Sequence, residues 1–126
     1  MITLRFGDSE DNLFEVEVEP IEVRNGYALH RTVLWNGIEL DTYTVTHINS
    51  GFASGSPLDT FEEARRILTI LADIKINDVG IGDLSARELI SALPEISKLV
   101  QARLGIKQHK EVVLEHQRRL RNTLKL

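Results

Sequence analysis

Two Asn-Gly dipeptides, Asn25-Gly26 and Asn36-Gly37, are set into an apolar-rich run from Leu13 to Ile48. A two-residue type I′ turn needs positive φ at both central positions, which asparagine and glycine tolerate best, so Asn-Gly between apolar runs signals a hairpin. Two such turns in one run predict a three-strand antiparallel meander and commit the N-terminal half of the chain to a sheet.

Two-residue loops also set a register. The first turn pairs Arg24 with Tyr27, Val18 with Val33 and Val16 with Trp35; the second pairs Trp35 with Ile38, Val33 with Leu40 and His30 with Tyr43. One face then carries Val16, Val18, Val33, Trp35, Ile38 and Leu40, while Ile21, Val23, Ala28, Tyr43 and Val45 fall on the other. The apolar side changes along the row Pro20, Arg31 and Thr42. Proline cannot donate to a ladder, so bulges along that row, or a twisted sheet covered on different faces at its two ends, are expected. Such a sheet needs two covers, and a second copy of the chain is one candidate.

Ahead of this run, Ile2, Leu4 and Phe6 alternate with polar residues as a short strand does, and Gly7 to Asn12 reads as a polar turn. Phe52 and Ala53 predict a short further strand after Asn49-Ser50-Gly51. Thr60 to Glu63 reads as a capping box opening a helix to about Lys75, whose apolar stripe is wide enough to need both the sheet and a second helix. Asn77 to Gly82 is expected to be a loop, and Ser85 to Glu88 is a second capping box. Pro94 either kinks the helix that follows or starts a new one, and the apolar face continues to Gly105. From Lys107 to Leu124 the stripe narrows to Ile106, Val113, Leu120 and Leu124, a spacing suited to one partner helix. The expected fold is α+β in one domain: an antiparallel β-meander of four to five strands, curved or bulged (1–56), with three to four α-helices packing on it. Those helices comprise core helices in 57–104 and a basic C-terminal helix in 105–126.

The net charge of −4 hides a split. Residues 1–64 hold 12 acidic and 3 basic side chains, whereas residues 65–126 hold 7 acidic and 12 basic. Glu15, Glu17 and Glu19 line one strand face. Lys107, Lys110, Arg118, Arg121 and Lys125 gather on one flank of the last helix. These eight are the candidate partner-binding residues, because opposed charge steers association.

Chemistry-bearing motifs are sparse. The chain has no cysteine, which excludes disulfides, thiolate metal sites and cysteine nucleophiles and is compatible with a reducing cytoplasm. No basic-then-apolar leader and no 18-residue apolar window occur, so a soluble, unexported protein without membrane contact is expected. Asp8, Glu10 and Asp11 lack the calcium-loop pattern. Ser50-Gly51 and Ser54-Gly55-Ser56 lack a following Walker lysine, and a plain connector is expected there. His109 and His116, seven positions apart, are too far apart along a helix to share a metal. His30 and His47 are expected to be hydrogen-bonded structural residues. Neither catalysis nor a cofactor is expected.

The function expected is binding, as a homodimeric adaptor or inhibitor-like protein. The alternative is nucleic-acid binding through phosphates at the C-terminal helix. Residues 1–75, a curved antiparallel sheet followed by a helix, are similar in outline to the single-strand-binding domains of the transcriptional-coactivator and whirly type. That similarity implies a dimer, but the acidic sheet would repel phosphates.

Overall fold

The computed structural model describes residues 1–9 and 12–104. Strands β1 (Ile2–Ser9) and β2 (Asn12–Val18) form an antiparallel hairpin, with Ile2 opposite Val18 and Phe6 opposite Phe14. The chain bends through Glu19-Pro20 into a second, four-stranded antiparallel sheet. Its strands β3 (Glu22–Arg24), β4 (Tyr27–Val33), β5 (Glu39–His47) and β6 (Phe52–Ala53) lie in chain order. The ladder expected between the Phe14–Val18 strand and β4 is therefore replaced by one with β1. Alternation fixes which residues of a strand share a face, but it does not choose the neighbouring strand.

The two Asn-Gly turns differ. At the first, Asn25 (φ 45°) and Gly26 (φ 88°) form the expected two-residue turn, with Arg24 opposite Tyr27. At the second only Gly37 is left-handed, at φ 86°. There the Gly37 N–H donates to the Leu34 carbonyl at 2.8 Å, and the Leu34 N–H donates to the Ile38 carbonyl at 2.9 Å. The loop is thus three residues, Trp35-Asn36-Gly37, a turn closed by a left-handed glycine. The three-residue loop puts Val33 opposite Glu39, one position earlier than expected, and a register shift beyond it then puts Arg31 opposite Tyr43 and His30 opposite Thr44. A bulge falls between Arg31 and Val33, on the row where the apolar side was expected to change.

Both covers of the sheet come from the chain itself. Tyr27, Leu29, Val45 and Phe52 pack against Ile67, Leu68 and Leu71 of α1 (Phe61–Ala72) and Leu89, Leu93 and Ile96 of α2 (Ala86–Leu104). On the other side the β1–β2 hairpin lays Ile2, Leu4 and Val18 on Ala28, with Val16 and Val33 half-buried beside them. Ala28 accordingly sits apart from Tyr43 and Val45, a correction to the expected faces, and no second copy is needed to cover the sheet. The Arg5 N–H donates to the Gly51 carbonyl at 2.8 Å, which ties β1 to the turn between β5 and β6.

Thr60 caps α1 by accepting the Glu63 N–H at 3.1 Å. The helix stops at Ala72, short of Lys75, where the Asp73 N–H turns back to the Ile70 carbonyl. A small hairpin follows, β7 (Lys75–Ile76) and β8 (Val79–Gly80), with Asn77 and Asp78 both left-handed. A 3-10 turn at Ile81–Asp83 then leads to the Ser85–Glu88 capping box, in which the Glu88 N–H donates to Ser85 Oγ and the Ser85 N–H to Glu88 Oε1. Pro94 lies inside one continuous helix. Among the described residues there are two α-helices rather than three or four; the helix expected over 107–124 lies outside them.

Glycine is required where the first turn meets the 3-10 segment. A Cβ on Gly82 would fall on the Asn25 carbonyl, and one on Gly26 would fall on the Gly82 backbone. The Asn25 side chain reinforces the contact by donating to the Ala72 carbonyl at 3.0 Å.

Candidate interaction surface

The loop of the β4–β5 hairpin projects past the bulge and carries large apolar side chains that the two cores do not use. Trp35 is 59% and Ile38 54% exposed, with Leu34 and Leu40 also in the open. Phe14, near the start of β2, is likewise exposed and meets the Trp35 ring at a centroid separation of 5.4 Å. The hairpin tip and the end of the β1–β2 hairpin therefore share one apolar surface. Water against such surface is unfavourable, and a contiguous exposed cluster containing tryptophan is the usual chemistry of a binding hot spot.

The three-residue loop explains why these side chains lie outside. Leu34 and Ile38 face each other across the loop mouth, and the Asn36 side chain accepts the Ile38 N–H at 3.1 Å, holding the turn in shape. Behind them Arg31 lies over the Tyr43 ring at 5.0 Å and donates to Asp41 Oδ1 at 2.6 Å. The Thr32 hydroxyl bonds those of Thr42 and Thr44 across the bulge. The tip thus rests on a braced base. Glu15, next to Phe14 in sequence, and Glu39, between Ile38 and Leu40, are both exposed on the same two hairpins.

The expected acidic row is present: Glu15, Glu17 and Glu19 are all exposed, and Glu15 and Glu17 stand opposite Arg5 and Thr3 across the β1–β2 ladder. The other candidates, Lys107, Lys110, Arg118, Arg121 and Lys125, lie outside the described residues, as do His109 and His116. Sequence reasoning placed Trp35, Ile38 and Leu40 on an apolar sheet face and missed their exposure, because apolarity reads as burial. The signal that could have found them is their position: Leu34, Trp35 and Ile38 flank a turn, where a cover is hardest to supply.

The two histidines within the described residues serve the interior. His30 is buried and bonds the Thr46 hydroxyl and the Arg31 carbonyl, both at 2.7 Å. The carbonyl only accepts, so Nδ1 of His30 carries the proton and Nε2 accepts from Thr46. His47 touches both Ser50 (2.9 Å) and the Ile81 carbonyl (3.0 Å). A histidine beside a serine can activate a nucleophile. Here both residues are buried, and the Nε2 proton of His47 is committed to Ile81 while Nδ1 accepts the Ser50 N–H at 3.2 Å. The pair braces the β5–β6 turn against the 3-10 segment. Burial pushes both imidazoles below the ordinary histidine pKa, opposed by the backbone hydrogen bonds.

Among the described residues no helix is long and apolar enough to cross a membrane, and no three metal-ligating side chains come together. Comparison of the chain with known protein families, curated proteins and solved structures finds no match.

Proposed function

We propose that this chain is a protein-interaction module, acting by binding rather than catalysis, whose contact surface is the apolar β4–β5 hairpin tip with Phe14 beside it. One observation carries the reading: Trp35 and Ile38 are more than half exposed while the cores on both faces of the sheet are filled by other residues. The exposed Glu15 and Glu39 on the same two hairpins favour a basic partner, because charge complementarity sets encounter rate and selects among partners of similar shape.

Trp35 is the chain's single tryptophan, so its fluorescence reports directly on this surface. Raising the protein concentration, or adding fractionated extract of the native host, should shift its emission to the blue and protect it from acrylamide quenching. The I38E variant should abolish both effects while keeping the circular dichroism of the parent. Emission that stays that of a fully hydrated indole in every fraction and at every concentration would refute the reading.

A further inference from the structure

We infer that the outer edge of β2 is a strand-addition site, which takes an extended segment of another protein whose basic and apolar side chains alternate. This rests on the chain being a binding module, and it adds how the partner's main chain is held.

The direction of the β2 main chain follows from one contact. The Arg5 N–H donates to the Gly51 carbonyl, so it points away from β2. Residues directly opposite in an antiparallel pair turn their N–H and C=O groups either toward each other or both away. Glu15, opposite Arg5, therefore directs its N–H and C=O away from β1, and Glu17, one strand period on, does the same. Among the described residues β2 pairs with β1 alone. A row of unpaired main-chain groups is a template for another strand.

That edge lies beside apolar surface left uncovered. Val16 and Val18 cluster with Val33 and Ala28, and Phe14 meets Trp35, so β2 runs along β4. The Arg5–Gly51 bond puts β1 toward the turn between β5 and β6, which leaves the open edge of β2 facing the β3 side. There the cover stops: Ala28 is fully buried, whereas Val23, directly opposite it on the same face, is 52% exposed. Ile21, two positions earlier, is 50% exposed. A strand added beside β2 would lie over β3, cover Val23 and bond the main chain of Glu15 and Glu17.

The two faces of β2 set the chemistry of the occupant. Val16 and Val18 point toward the sheet, while Glu15 and Glu17 stand exposed on the opposite face, followed by the exposed Glu19. Inward side chains of the added strand meet Val23 and are apolar; outward ones stand beside carboxylates and are lysine or arginine. A second β2 does not qualify, because pairing it here sets glutamate against glutamate.

The test uses the full-length chain and the acetylated, amidated peptide Lys-Val-Lys-Val-Lys-Val-Lys, as long as the seven residues of β2. Hydrogen exchange followed by NMR should show the Glu15 and Glu17 amides of the free protein exchanging at least about tenfold faster than those of Val16 and Val18, which face β1. The peptide should bind with a Kd of about 1 mM or tighter, as an antiparallel strand, and slow the Glu15 and Glu17 exchange. Salt should weaken it. The same peptide N-methylated at its lysines, which removes the donors facing β2, and a counterpart with glutamate for lysine should each bind at least about tenfold more weakly. E15K/E17K, with unchanged circular dichroism, should reverse the preference between the lysine and glutamate peptides.

Glu15 and Glu17 amides already slow in the free chain would mean an occupied edge and overturn the inference. So would no binding of the lysine peptide at about 1 mM, equal binding of its N-methylated form, or a preference unmoved by E15K/E17K. In each of those cases Trp35 covered by another protein leaves the proposed function standing, whereas Trp35 hydrated throughout removes both.

Discussion

The two buried histidines should make the fold acid-sensitive in a defined window. His30 and His47 are held neutral by their tautomer-specific hydrogen bonds, and burial lowers both pKa values in the folded state. In the unfolded chain each titrates near 6.5. Below that pH the unfolded state takes up a proton that the folded state refuses, so stability is fully present above about pH 6.5 and falls as the pH drops toward the folded-state values. For each histidine the slope is at most about 1.4 kcal/mol per pH unit, so at one unit below 6.5 the pair removes up to about 3 kcal/mol from a total of roughly 5–15. Urea unfolding between pH 7.5 and 5.5 measures it. Carboxylates titrate mostly below this range, so the decisive comparison is with H47Q. That variant should be less stable at neutral pH by about 1–3 kcal/mol, through the Ile81 carbonyl and Ser50 N–H it leaves poorly paired. Its pH slope should be shallower than the parent's by up to about 1.4 kcal/mol per unit. Parent and variant curves that run parallel would refute the reasoning.

Two further perturbations separate steric from conformational roles. Gly82→Ala should cost more than about 2 kcal/mol, since its Cβ meets the Asn25 main chain, whereas Gly37→Ala should cost only about 1–2 kcal/mol for its left-handed φ, because open space surrounds the position; thermal melts rank the two. Ser85→Ala removes the hydroxyl that accepts the Glu88 N–H and should lower stability by about 1 kcal/mol, read as a shift in urea midpoint without change in slope.

The first Asn-Gly turn, the capping residues Thr60 and Ser85, and the placing of β1 to β6 ahead of α1 were legible in the sequence because each depends on a few adjacent residues. The second turn was not, since Asn-Gly fits both a two-residue loop and the last two positions of a three-residue one. The choice between them moved Val33 from Leu40 to Glu39, and the bulge behind it moved His30 from Tyr43 to Thr44. Pairing of β2 with β1 was equally hidden: a strand advertises its faces, while its neighbour is decided by which cover fits. Pro94 shows the same limit, because packing of Leu89, Leu93, Ile96 and Val100 keeps one helix running past a residue that cannot complete its hydrogen bonds. At the interaction surface the glutamate row was readable from alternation. The exposure of Trp35 depended on the same unseen residue in the second turn.

The backbone contact between Gly26 and Gly82 also bears on ancestry. Neither position has room for even a methyl group, and they face each other from distant parts of the chain, so divergence can alter one only by displacing the other's whole segment. Surface charges and core aliphatics drift by compensating changes; this pair has almost no neutral alternatives. Distant kin are therefore better sought by an Asn-Gly turn matched to a glycine shortly ahead of a Ser-x-x-Glu helix start than by overall similarity.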